Sequence, residues 1–238
     1  SDAEIYLNYR NAPDTLVGSL SSVNIINDFE IQLLDTTLIT VMEDIEILAN
    51  SGEVAKVKYQ NKRSRILYTL EELKYVHNFD GQKFIFAHII SPHRPFIFGP
   101  NGEELFPDGE VRDAQEYAEG YTAQVTFISD RILETFKKII NDSEIPPIII
   151  VQGDHGPSTH YGATNEQRST ILNAYYLPDR GDQFLYSTIS PINSFRVVLN
   201  YYFGTDLELL EDVHYYSIDI DDPNDYVVIK NIGPVCGE

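Results

Sequence analysis

Tryptophan is missing from this 238-residue chain, and cysteine and methionine occur once each. The lone cysteine, Cys236, excludes an internal disulfide and leaves the redox compartment open. Basic residues are scarce: 17 stand against 37 acidic ones, for a formal net charge of −20. Nucleic-acid affinity comes mainly from Lys and Arg meeting phosphates, so this balance excludes a nucleic-acid partner and disfavours docking on anionic lipid. The same negative field repels an anionic substrate, and a phosphate site here has to rely on a local cation. No apolar run approaches the ~20 residues that cross a bilayer, and no signal-peptide pattern is present. Internal repeats and low-complexity tracts are lacking too.

What is present suffices for a core. Apolar residues make up 42% of the chain, which allows one domain over residues 1–238. The organising stretch is Pro146-Pro147-Ile148-Ile149-Ile150-Val151-Gln152-Gly153-Asp154-His155-Gly156-Pro157. Its four β-branched residues read as a strand buried on both faces, as in a parallel sheet covered by helices. Neighbouring side chains on a strand point to opposite faces. Asp154 and His155 therefore need Gly153 and Gly156 to turn the backbone and bring both to one centre. Open α/β sheets gather chemistry at the carboxyl ends of strands, where this pair falls. On residue types alone two readings weigh equally. One is a carboxylate and an imidazole sharing a divalent metal; the other is a Gly-rich turn whose Asp hydrogen-bonds the backbone.

Upstream, Lys83–Ile90 reads as a strand, apolar on both faces and so buried between layers, with His88 a hydrogen-bonded core histidine. His93 lies beyond its end, in a turn fixed by Pro92 and Pro95. A rigid loop of this kind presents an imidazole at the functional edge of a sheet.

Together, Phe84-Ile-Phe-Ala-His-Ile-Ile-Ser-Pro-His93-Arg-Pro-Phe96 and Gly153-Asp-His-Gly156 resemble motifs of the alkaline phosphatase and sulfatase superfamily. The likeness is closest to its membrane-anchored branch, which includes lipoteichoic acid synthases and phosphoglycerol transferases. It covers roughly Phe84 to Gly204, in the order and spacing of strand, His turn, long helix, strand and Asp-His. The resemblance implies an α/β fold of partial sulfatase type, with a largely parallel sheet flanked by helices. It makes Asp154 and His155 ligands of a divalent metal ion (Mn, Mg, Ca or Zn) and His93 a contact to the phosphate or sulfate group. The implied function is that of a metal-dependent hydrolase or phosphoglycerol/phospho-group transferase acting on an anionic phosphate or sulfate ester. The parent protein would work at the extracytoplasmic face of a membrane.

Enzymes of that kind also need an N-terminal half with further metal ligands and a Ser, Thr or modified Cys nucleophile. No Cys/Ser-x-Pro-x-Arg pattern occurs, and the chain opens on Ser1 rather than Met. The expectation is the C-terminal portion of a sulfatase-like domain, inactive in isolation, without its nucleophile. An unpaired sheet edge would then invite a homodimer. A non-catalytic binding or sensor domain on the same scaffold is the alternative. A binuclear metallophosphoesterase ranks lower, because its Asp-x-His belongs on a first strand near the N-terminus.

The remaining pattern is mostly structural. A loose alternation over Asp2–Leu7 suggests a strand, and Asn27-x-x-Glu30 caps a helix running to Gly52. Lys56–Arg65, with five basic residues, reads as a solvated connector, followed by a short helix over Leu70–Val76 and by His77 at its end. Asp113-x-x-Glu116 opens a long helix that ends near Asn141, completing a βαβ unit. From Gly153 to about Thr170 no periodicity is visible; His160 and Arg168 in this loop are weaker substrate contacts. Asn173–Leu177 reads as a strand, Pro191 to Gly204 as a helix with Pro at N1, and Tyr226–Ile229 as an edge strand. The acidic run Asp219, Asp221, Asp222, Asp225 lacks the Gly and Glu of a calcium loop and reads as solvated.

Overall fold

Seven residues at the start of the chain, Ala3–Tyr9, form strand β1, which pairs antiparallel with β2 (Lys83–Ile89) from Ala3 opposite Ile89 to Tyr9 opposite Lys83. The computed structural model describes residues 3–9, 52–106, 110–217 and 226–230. The helix expected from Asn27, the acidic run and Cys236 lie outside the described residues. The chain divides into two compact units, Ser1–Ser143 and Glu144–Glu238.

In the first unit, the basic stretch is not a connector. It belongs to a 22-residue helix, α1 (Gly52–Leu73), which also absorbs most of the short helix expected over Leu70–Val76. Tyr59, Ile66, Leu70 and Leu73 recur at helical spacing and are all buried, so the cations between them mask a core-facing stripe. Helix α2 (Ala114–Asp142) starts where its cap signal places it, with the Asp113 carboxylate accepting the Glu116 N–H at 2.8 Å. Glu116 in turn accepts the Arg112 N–H at 2.9 Å. The core joins Tyr59, Ile66 and Leu70 of α1, Ile97 and Phe98 beyond β2, and Phe127 and Ile128 of α2. Each such side chain contributes about 1.5–3 kcal/mol by leaving water. Phe98 stacks on Phe127 with centroids 4.5 Å apart. Gly120 lets the Phe96 ring lie where a Cβ would stand.

β2 is not buried on both faces. Ile85, Ala87 and Ile89 are half-buried, whereas Phe84, Phe86 and His88 are exposed on the other side. His88 is thus no core histidine; its ring stacks loosely on Phe86 at 6.4 Å. His77, expected at a helix end, sits in a 3-10 turn (Val76–Asn78), its Nε2 3.9 Å from an Asp142 oxygen.

The second unit holds two more antiparallel ladders. Strand β3 (Ile149–Gln152) pairs with β4 (Asn173–Tyr176), Ile149 opposite Tyr176 and Gln152 opposite Asn173. Strand β5 (Val213–Ser217) pairs with β6 (Tyr226–Lys230). The mixed α/β character holds, but the largely parallel sheet does not. All described ladders are two-stranded and antiparallel, and β2 and β3 belong to different ones. The physical reason lies in the β3–β4 connection, which folds back on itself through the five-residue helix α3 (Asn165–Ser169). It re-enters beside its point of exit, where the Gly153 N–H donates to the Leu172 carbonyl at 2.9 Å. A parallel return needs a crossover, usually a full helix laid over the sheet.

Helix α4 (Pro191–Phe203) has Pro at N1 and Gly204 in the left-handed region, φ +66°, at its end, as the sequence predicts. Its inner side buries Val197 and Val198 beside two polar residues, Asn193 and Ser194. Ser194 Oγ lies 2.5 Å from Tyr175 Oη and accepts from Gln152 Nε2 at 3.2 Å, while Gln152 Nε2 also reaches Asn173 Oδ1 at 3.0 Å. Gln152, the last residue before the Gly-Asp-His-Gly turn, is thereby fixed to both β4 and α4.

Asp212 closes the start of α4. Its carboxylate accepts the Ser190 N–H at 2.7 Å, Asn193 Nδ2 at 2.8 Å and the Tyr186 hydroxyl at 2.7 Å. Burial alone would raise the carboxyl; the bonds from Ser190, Tyr186 and Asn193 outweigh it and hold it below the ordinary range. Burial, followed by the Asp212 carboxylate, pushes the Tyr186 phenol up to about 12. A carboxyl lowered on folding contributes stability above its unfolded value of 3.8, lost as pH falls through the folded one. The raised phenol contributes below its unfolded value of 10.0, and that is lost as pH rises towards 12. Asp212→Ala is expected to cost about 1–2 kcal/mol at neutral pH. Urea unfolding should show the gap to wild type narrowing below about pH 4; a gap independent of pH would refute the charged role.

Candidate functional site

The Gly-Asp-His-Gly turn begins where β3 ends. Asp154 Oδ1 accepts the backbone N–H of His155 at 2.8 Å, and His155 Nδ1 donates to the Gly156 carbonyl at 2.9 Å. Each side chain is thus tied back to the backbone through one atom. The atoms left over, Asp154 Oδ2 and His155 Nε2, lie 3.4 Å apart, with the carboxylate 85% and the imidazole 39% exposed. A carbonyl oxygen only accepts, so the bond to Gly156 requires the proton on Nδ1, and a neutral His155 then carries its lone pair on Nε2.

These are the atoms that could hold a divalent cation. Two donors 3.4 Å apart subtend a roughly tetrahedral angle at a metal with bonds of about 2.1 Å. The imidazole suits Zn and other transition metals and the carboxylate suits Mg, Ca and Mn, so the pair selects none of the four. The turn reading is what the hydrogen bonds show: the Asp bonds the backbone through one oxygen, and its other oxygen faces the His155 ring. Among the described residues no third His, Cys, Asp or Glu completes a metal-binding group with them.

Neither glycine of the turn has a positive φ. Gly156 is required for closeness rather than for backbone freedom. It is buried, and a Cβ there would overlap the Gln167 carbonyl oxygen and lie 2.8 Å from that of Thr170. The loop expected to be structureless is held in this way. Thr164 and Gln167 form a capping box that opens α3, at 3.2 Å and 2.8 Å. The sequence carries its signal, Thr164-x-x-Gln167.

His160 is exposed on a 3-10 turn (Thr159–Tyr161), edge-on to Tyr161 at 4.9 Å. Arg168 is half-buried and donates from Nη1 to the Gly156 carbonyl at 3.1 Å. The structure places Arg168 at the turn but leaves His160 outside its hydrogen bonds.

His93 belongs to the first unit, four residues past the end of β2, exposed. The Ser91–Pro92 and Arg94–Pro95 bonds on either side are cis. Its Nδ1 lies 2.6 Å from the Arg94 carbonyl, which again leaves Nε2 outward. The turn is braced by residues that sequence reading missed. Lys62, only 3% exposed, donates from Nζ to the carbonyls of His93 at 2.9 Å, Arg94 at 3.1 Å and Pro95 at 3.5 Å. Gln124, fully buried in α2, donates to the His93 carbonyl at 3.2 Å and accepts the N–H groups of Ile97 at 2.8 Å and Phe98 at 3.3 Å. The Tyr59 hydroxyl and the Arg63 guanidinium both hold the Ile97 carbonyl at 3.0 Å. One face of α1 is therefore a scaffold for this turn.

Compared with known proteins, the chain matches no family model, no curated protein and no solved structure.

Proposed function

We propose that Asp154 and His155 are a two-ligand metal arm of sulfatase-like type. It would serve a hydrolase or phosphoglycerol/phospho-group transferase acting on phosphate or sulfate esters; His93 of the first unit is carried as an anion contact by the motif resemblance alone. The observation that carries this reading is the pair of atoms Oδ2 and Nε2, both outside the backbone hydrogen bonds and facing each other 3.4 Å apart at the end of β3. It rests on the motifs and on that local geometry, not on the sheet, whose antiparallel ladders differ from the parallel arrangement the resemblance implies.

A divalent cation held there lowers the pKa of an attacking hydroxyl and neutralises ester oxygens. The protein's own part is to hold and orient. Asp154 supplies Oδ2 with its other oxygen anchored, and His155 supplies Nε2 with Nδ1 anchored. With Nδ1 of His93 turned to the Arg94 carbonyl, Nε2 donates to an oxyanion only when protonated; neutral, it accepts a proton there. Catalytic sites use about three protein ligands, so this arm alone binds weakly and hydrolyses nothing. A helix long and apolar enough to cross a membrane is lacking among the described residues. The edges of β3 and β4 without a strand partner among those residues favour strand addition by a second copy, which sedimentation would detect.

The test is a manganese titration of the full chain followed by amide NMR, beside hydrolysis of a chromogenic phosphodiester. Paramagnetic broadening should centre on residues 153–156 and fall at least about tenfold in Asp154→Ala, the loss typical for a metal-site partner. Broadening elsewhere, or unchanged in the variant, would remove the metal arm and leave a non-catalytic scaffold. Turnover by the 238-residue chain, abolished in Asp154→Ala, would mean that the chain supplies a full site.

A further inference from the structure

Residues 156 and 168 grip each other twice. The Gly156 N–H donates to the Arg168 carbonyl at 2.6 Å, and the Gly156 carbonyl accepts from Arg168 Nη1 at 3.1 Å. That same carbonyl oxygen is the acceptor for His155 Nδ1 at 2.9 Å. Its two lone pairs are thus matched by two donors, and Arg168 bonds both the N–H and the carbonyl of Gly156, on the two peptide groups that flank its Cα. A free neutral histidine favours the proton on Nε2, which would direct an N–H, not a lone pair, towards Asp154 Oδ2. Something has to select the other tautomer, and the bond made by the far nitrogen is what decides it.

We propose that Arg168 is a positioning residue for His155: by clamping Gly156 through its guanidinium and its own backbone, it fixes the Nδ1–H tautomer and turns Nε2 into the ligand atom. This rests on the reading of His155 as a metal ligand, but the tautomer is measurable with no metal present. Arg168 acts through the Gly156 carbonyl and needs no contact with the ester, in contrast to the anion contact suggested by its place in the sequence.

Side-chain nitrogen NMR of the metal-free full chain at about pH 9, above the ordinary imidazole range, reads the tautomer directly. Wild type should show a protonated Nδ1 and an unprotonated Nε2 at His155. Arg168→Met should shift the ring to the Nε2–H form or to an averaged mixture, and manganese broadening at residues 153–156 should weaken about tenfold. Arg168→Lys, which keeps a cationic donor, should restore part of both. If Arg168→Met does not fold, Arg168→Gln, polar but too short to reach the carbonyl, gives the same test. An Nε2–H tautomer in wild type overturns the proposal, as does an Nδ1–H tautomer retained in a folded Met or Gln variant. A tautomer that depends on Arg168 while manganese leaves residues 153–156 untouched would keep the clamp and sink the metal reading. Manganese broadening there with a tautomer indifferent to Arg168 would do the reverse.

Discussion

Lys62→Met should lower the stability of the chain by about 2–3 kcal/mol, the worth of hydrogen bonds from one charged donor. Methionine keeps the length and apolar volume of the stem but removes every N–H from a site only 3% exposed. Two effects oppose each other. The ammonium's own burial is relieved, which on its own stabilises. Against that, the carbonyls of His93, Arg94 and Pro95 stay buried in part and lose their shared donor. His93 keeps Gln124 as a second donor and Arg94 keeps the His93 ring, so the loss stays below the 3–5 kcal/mol of a fully stranded partner. Urea unfolding gives the energy, and amide exchange at Ile97 and Phe98 shows whether the turn has loosened. A change under about 0.5 kcal/mol, the level of an ordinary surface substitution, would mean that the turn does not depend on Lys62.

This lysine also shows where sequence reading stops. Its partners lie 31 to 33 residues away, so nothing local distinguishes it from its solvated neighbours in Lys56–Arg65. The helical spacing of Tyr59, Ile66, Leu70 and Leu73 is present in the sequence, but the charges between them mask it. Where caps and breakers coincide with periodicity, the reading succeeds: Asp113 starts α2, and Pro191 and Gly204 bound α4. Sheet topology is different in kind. A strand has the same period of two in parallel and antiparallel ladders, and the partner choice depends on how a distant connection folds. An apolar run in β2 therefore does not reveal that one face meets the core while Phe84 and Phe86 stay exposed.

What the motif made legible is the nearness of Asp154 and His155. Gly-Asp-His-Gly placed the two side chains together, and the structure adds how: one atom of each is tied to the backbone and the other two face each other at 3.4 Å. The role assigned to the glycines shifts. Backbone freedom was the sequence-level reason, yet neither glycine has a positive φ; at 156 the constraint is the missing Cβ. That could not be read beforehand, because the atoms it makes room for belong to residues 167 and 170.

Gly156→Ala and Gly153→Ala should accordingly have opposite outcomes within one motif. At 156 the new methyl overlaps the Gln167 carbonyl oxygen and approaches that of Thr170 to 2.8 Å. Both obstacles are backbone, fixed by the capped helix α3, so no side chain can swing away. Relief requires breaking the Gly156–Arg168 hydrogen bonds, at 2.6 and 3.1 Å, and lifting the turn off α3. The expected cost is about 3 kcal/mol, the upper end for overpacking. At 153 the nearest atom to an added Cβ is the Leu172 nitrogen at 3.6 Å, an ordinary contact, and φ is not positive. Gly153→Ala should then lie within about 0.5 kcal/mol of wild type, or slightly stabilise by restricting the unfolded chain. Paired urea titrations give the energies, and limited proteolysis should cut the 156 variant faster between residues 157 and 164 as the turn opens. Equal costs at the two positions, or a larger one at 153, would show that the turn is not built on the close approach of Gly156 to α3.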